Sequence, residues 1–256
     1  MTEMSAVLTL AHRDLVKLLR DRTRIIADFS FPLIFIAILG PMLQSGFGAR
    51  AGINLTQFVF TGALAQTIWQ STAMGAIFLL IDREQDFSQE IFVSPISRYS
   101  IIFGKILGES LVALPQAIAI VVLGVIIGVP FTLPLLGEMA IAVLIIALFG
   151  GAFGVFVLSR LDNQRQAQQI FPFVMLPQFF LAGVFNPIGH LPPFLDILSK
   201  IAPMRYAVDL MRDVFYGPGS GVAVFDLPTN LAIIAVEFVV FLVIGTWGFV
   251  RAERNR

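Results

Sequence analysis

Few residues in this chain have the types or spacing that chemistry requires. Cysteine is absent, and the two histidines, His12 and His190, lie far apart, so neither a thiolate site nor a histidine metal centre is expected. There is no GxSxG elbow and no HExxH pair. The single Gly-Lys pair, Gly104-Lys105, lacks the upstream glycine and the following Ser or Thr of a phosphate-binding loop. No catalytic residue and no enzyme activity are therefore assigned. What remains are polar groups set inside apolar runs. Glu237 stands within AIIAVEFVVFLV, and an ionisable group at membrane depth is costly. It is either a proton or substrate site, or an acid held by helix packing. Gln66/Gln70 and Thr67/Ser71 form i, i+4 pairs that either line a substrate route or join helices by hydrogen bonds.

The other candidate is a stretch dense in charge, Asp82 to Lys105, between two apolar runs. Asp82, Arg83, Glu84, Asp86 and Glu90 crowd together, while Phe87 and Ile91 share a helical face. The pattern predicts a short amphipathic helix ended by Ser94-Pro95, because the residue before proline is pushed out of the α region. Such a helix either lies in lipid headgroups or docks on a protein. An anionic cytoplasmic leaflet attracts basic helices, so the acidic character favours docking.

These residues need elements to position them, and composition says which. Of 256 residues 57% are hydrophobic and 13% charged, with a mean hydropathy of +0.86. A soluble domain of this length cannot hide that much apolar surface, so lipid must solvate it. Lys+Arg and Asp+Glu both number 17, which gives no bulk attraction to nucleic acid. The N-terminus has no signal-peptide pattern. Residues 5–24 predict an interfacial amphipathic helix, with Leu8, Leu15 and Leu19 opposite Arg13, Lys17, Arg20 and Arg24.

Six segments have the length and apolarity of a span: about 25–45, 57–81, 104–129, 138–159, 168–185 and 230–250. The fifth carries Pro172 and Pro177, which predict a kink. With the N-terminus inside, six crossings leave 13 Lys and Arg residues in the cytoplasm and four outside, the latter being Arg50, Lys200, Arg205 and Arg212. That asymmetry predicts both termini, and the 82–98 loop, in the cytoplasm. Between spans five and six, residues 186–217 hold apolar runs too short to cross, broken by Pro187, Pro192, Pro193, Pro203 and Gly217. Short outer helices that re-enter or skim the membrane are expected there. The expected fold is an all-α membrane protein forming a single domain over residues 1–256.

At this point the chain resembles a known family. DREQDFSQEIFVSPISRYSIIFGK is similar to the cytoplasmic loop of type-two ABC exporter permeases, the class of daunorubicin-resistance-like and polysaccharide-export permeases. The matching positions are Arg83, Glu84, Pro95, Ile96, Ser97, Arg98, Gly104 and Lys105. FFLAGVFNPIGHLPPFLDILSKIAPMRYAVDLMR resembles the outer segment of the same family. One departure is Ser88, where relatives often carry glycine after the aromatic.

The resemblance implies a multi-pass permease of a bacterial or archaeal inner membrane. It further implies that two permease chains pair, as a homo- or heterodimer, above two ATP-binding subunits, with ATP and magnesium held by those partners. Residues 82–98 would form the coupling helix, with Glu84, Asp86, Phe87, Glu90 and Ile91 as the docking surface. The cargo expected is an amphipathic small molecule, a drug or a lipid. The alternative is a gradient-driven transporter working through Glu237.

Overall fold

The computed structural model describes Thr9, His12, Arg13, Val16 and residues 22–77, 79–80, 98–161, 163–188 and 191–254. Among these, eight helices follow one another and no strand occurs. They are α1 Arg22–Ala51, α2 Leu55–Gly75, α3 Arg98–Ile126, α4 Leu133–Leu158, α5 Gln164–Leu181, α6 Pro193–Ile201, α7 Pro203–Tyr216 and α8 Leu227–Arg254. Most of the expected interfacial helix at 5–24 lies outside the described residues.

Six of these helices, α1 to α5 and α8, stand where the six apolar segments are. By length and composition, three of them can cross a membrane: Tyr99–Ile126, Leu133–Leu158 and Leu227–Arg251. Pro32–Gly48 in α1 is a shorter apolar stretch. Helix α2 is diluted by Gln66, Thr67, Gln70 and Ser71, and α5 opens on the polar run Gln164-Arg165-Gln166.

Local chemistry sets the helix ends. Asn54, Thr132 and Asn163 are extended residues whose side chains accept a backbone N–H three residues on, which caps α2, α4 and α5. This shifts two boundaries. Helix α4 begins at Leu133 rather than near Glu138, and α5 begins at Gln164 because Asn163 caps a polar turn that carries no apolar signal. Helix α5 is continuous through Pro172 and Pro177.

Helix α4 occupies the centre, packed on α2, α3, α7 and α8, while α1 lies against α2 and α5 stands at the edge. The α2–α4 approach depends on Gly154, where a Cβ would collide with the Ala73 carbonyl. Trp69, Phe149 and Phe153 fill the same seam, with Phe241 of α8 closing it. The outward faces remain apolar: Phe173 is 79% exposed and Phe180 67%. That is the surface a lipid-solvated bundle presents.

Both short segments between α5 and α8 are helical, as expected. Helix α6 is mostly exposed. Helix α7 is buried from Pro203 to Asp213 among α2, α4 and α8.

Candidate functional site

The docking residues Glu84, Asp86, Phe87, Glu90 and Ile91, and the motif residues Arg83, Pro95 and Ser97, lie outside the described residues. The loop they belong to joins the end of α2 to the start of α3. Arg98 opens α3, and Gly104 and Lys105 follow inside its second turn.

Lys105 is not a solvated charge. Its side chain and that of Glu109, one turn on, are 6% and 2% exposed, and the Lys105 Nζ lies 3.1 Å from the Glu109 Oε1. The Glu109 carboxylate packs over Gly75 of α2, where any Cβ would overlap it. A glycine at 75 therefore lets a buried ion pair of α3 sit flush against α2, at the end of the bundle from which the 81–97 loop leaves.

The three residues expected along a pathway separate into two groups. Gln66 Nε2 donates to Gln70 Oε1 on α2, and Gln70 Nε2 lies 3.9 Å from Met74 Sδ. Gln66 is buried, Gln70 half-buried and Met74 exposed, so this polar strip runs from the interior to an outward face. Glu237 is elsewhere. It belongs to α8, which α4 separates from α2, and it stands near Tyr206 of α7. Its Oε2 is buried without a hydrogen-bond partner among the described residues.

A fourth group was missed as a site. Read from sequence, α7 is a short apolar run with scattered charges. In the fold Arg205, Asp209, Arg212 and Asp213 are all buried. The available signal was their spacing, close to i, i+4, i+7, which puts three of the charges on one face of a helix.

Arg205, Asp209 and Arg212 each tie α7 to a different neighbour. Arg205 Nη1 donates to Ser199 Oγ at 2.9 Å and lies 3.6 Å from Asp196 Oδ1, which holds α6. Ser199 in turn donates to the Leu181 carbonyl at 2.6 Å. Asp209 accepts from the N–H groups of Val224 and Phe225 at 2.7 and 2.8 Å, and from Asn230 Nδ2 at 3.0 Å. It thereby anchors the approach to α8.

Arg212 Nη2 donates to the carbonyls of Gly183 and Val184 at 2.6 and 3.2 Å, which secures the turn after α5. That turn needs Gly183, at φ 72°. On the α2 side, a Cβ on Gly62 would lie 2.5 Å from the Val184 carbonyl oxygen and 3.1 Å from Arg212 Nη2.

Burial pulls Arg212 down to about 10, opposed by the Asp209 charge, so it stays cationic at neutral pH. Burial likewise pushes the Tyr216 hydroxyl up to about 12. Helix α7 is thus a clasp that holds the ends of α2, α5, α6 and α8 through desolvated charges.

Comparison with known proteins decides the class of this bundle. The model of the ABC-2 type transporter family matches residues 5–216, which include the charged loop, the buried Lys105–Glu109 pair and the whole of α7. The chain belongs to the ABC-2 type transporter family. A transport permease of Cyanophora paradoxa, ycf38, is 24% identical over 212 residues, covering 80% of this chain and 72% of that protein. The inner membrane transport permease YadH of Escherichia coli K12 is 26% identical over 225 residues, 87% of this chain and 85% of its own length. A protein of the same bacterium named as a probable multidrug ABC transporter permease, YbhR, is 28% identical over 138 residues, 52% of this chain and 36% of YbhR.

This ABC-2 family chain is a membrane-embedded transport permease, and the family is one of permeases rather than catalytic subunits.

Proposed function

We propose that the chain is the transmembrane subunit of an ATP-driven exporter, moved by a separate ATP-binding subunit. The observation that carries the reading is the family match over residues 5–216, in a sequence without a phosphate-binding loop of its own. The acidic 82–98 loop is the coupling element. Phe87 anchors it in a pocket of the partner, and Glu84, Asp86 and Glu90 meet basic groups there. Both termini and this loop face the cytoplasm of a bacterial or archaeal inner membrane. Residues 186–217 face outward, with α6 and α7 as the re-entrant pair. Two such chains pair, and the strip Gln66–Gln70 borders the route between them.

The cargo is an amphipathic small molecule, drug or lipid. The multidrug designation of YbhR supports that class, as does the scarcity of sugar-stacking residues, with two Trp and three Tyr in the chain. A gradient-driven carrier built on Glu237 is the weaker reading, since α8, which carries Glu237, packs chiefly on α4 and α7 rather than on α2.

The test is co-purification with an ATP-binding cassette subunit, sought first among the reading frames beside the gene for this chain. Phe87→Asp and Glu90→Lys should abolish it and leave the chain itself folded. Transport by the purified chain alone, abolished by Glu237→Gln, would overturn the proposal.

A further inference from the structure

Several buried polar side chains of the bundle are satisfied by nearby backbone. Thr61, Thr72 and Ser110 donate their hydroxyls to carbonyls one turn back, at 2.8–3.1 Å. Gln178 uses both ends of its amide, donating to the Val174 carbonyl at 3.2 Å and accepting from the Met204 N–H at 3.3 Å. Thr67 and Gln116 depart from this pattern. Thr67 is 7% exposed and its hydroxyl has no partner among the described residues. Gln116 is 1% exposed, and neither its Nε2 nor its Oε1 has one.

The register of α2 on α3 brings the two to one level. Toward one end, Glu109 packs over Gly75; toward the other, a Cβ on Gly124 would meet the Phe60 ring at 2.7 Å. Antiparallel helices pinned at those points set Gln116 level with Ile68, the neighbour of Thr67. The surrounding residues Leu64, Ile68, Val112, Ala113 and Ile120 are buried and apolar. A carboxamide and a hydroxyl in such a wall forfeit the hydrogen bonds they had in water, and buried groups of this kind are normally satisfied by an ordered water or a ligand.

We propose that Thr67 and Gln116 form an intramembrane subsite for a neutral hydrogen-bonding group that carries both a donor and an acceptor. An amide offers both functions, so it selects a group offering both in return. An ion is a poor fit, because Lys105 and Glu109, about three and two turns away along α3, are paired with each other. The occupant is either a resident water or a hydroxyl or amide of a passing cargo. The cargo source rests on the permease reading above; the water source does not.

The chain has no cysteine, so Thr67→Cys and Gln116→Cys each introduce a single thiol. The full chain is placed in lipid nanodiscs and treated with methanethiosulfonate ethylammonium, which attacks the thiolate that forms where water reaches. Both variants should be labelled at least about tenfold faster than Ala207→Cys, an equally buried position on α7. If 1-octanol slows labelling of Thr67→Cys and octane does not, the subsite takes a cargo hydroxyl. If neither alters the fast labelling, it holds water.

As an independent measure, Gln116→Leu should lower the melting temperature by removing a satisfied amide. Labelling no faster than at Ala207→Cys overturns the proposal, as does a Gln116→Leu chain that melts above the parent. No ATP-hydrolysing partner is present in these measurements, so failure of the exporter reading leaves them unaffected.

Discussion

The Arg212 guanidinium carbon lies 3.6 Å from the centroid of the Phe58 ring, so a buried cation of α7 rests on the aromatic face of α2. The same guanidinium holds the Gly183 and Val184 carbonyls. It combines a desolvated cation–π contact with charge-assisted hydrogen bonds, and an ammonium cannot reproduce that geometry. Arg212→Met should cost about 2–4 kcal/mol, and Arg212→Lys should recover less than half of that loss. Gly62→Ala should cost about 1–3 kcal/mol by pushing the Val184 turn off α2. Melting temperatures of the three variants in nanodiscs check the order.

Asp209 supplies three acceptor contacts at the entrance to α8. Asp209→Ala leaves two backbone donors and the Asn230 amide without that partner, and should cost about 2–4 kcal/mol. In a cycle with Asn230→Ala the two losses should fail to add by at least about 0.5 kcal/mol. Additive losses would mean that the contact contributes nothing.

Two carboxylates of the α6–α7 pair should respond to acid in opposite senses. The hydrogen bond from Lys200 chiefly, with help from the Lys200 and Arg205 charges, holds Asp196 below its ordinary value of 3.8. Its contribution to stability is complete above that value and is lost as pH falls through the lower folded value. Burial first, then the Asp209 and Asp226 charges, raise Asp213. Its ionisation penalises the fold at neutral pH, and the penalty lifts as pH falls through the raised value. Melting curves from pH 7 downward should therefore lose less in acid for Asp196→Asn than for the parent, and lose more for Asp213→Asn.

The Lys105–Glu109 pair is buried against Gly75. Glu109→Ala removes the carboxylate that the buried Lys105 Nζ meets and should cost about 3–5 kcal/mol, whereas Lys105→Met with Glu109→Leu should regain most of that loss. If the pair also transmits motion from the 81–97 loop, the apolar double variant will be stable and bind the ATP-binding subunit yet export poorly. Full export by that variant would limit the pair to packing.

Much of the architecture was legible because lipid solvation imposes long apolar runs. The segments read as spans fall on α1 to α5 and α8, and of the prolines that break 186–217, Pro192, Pro193 and Pro203 fall at the starts of α6 and α7, while Pro187 lies outside any helix. The Lys105–Glu109 pairing was also legible, since i, i+4 spacing on one helix needs no knowledge of the fold. Helix starts were less so: the Asn163 cap extends α5 into a polar turn that hydropathy cannot see.

By itself, then, the sequence determined that the protein is a helical, lipid-solvated bundle, and which family it resembles. These properties follow from composition and local spacing. Only the tertiary structure decided what its interior charges do. Arg205 and Arg212 were read only as charges on the outer side, and Asp209 was not singled out, yet the partners of all three lie 6 to 29 residues away in the chain. Whether a charge is in water or clasping a carbonyl depends on which helices enclose it, and no local pattern encodes that. The same holds for Gln66 and Glu237: each is polar in an apolar run, and only the tertiary packing, with α8 chiefly on α4 and α7 rather than on α2, sets them on separate faces of the bundle.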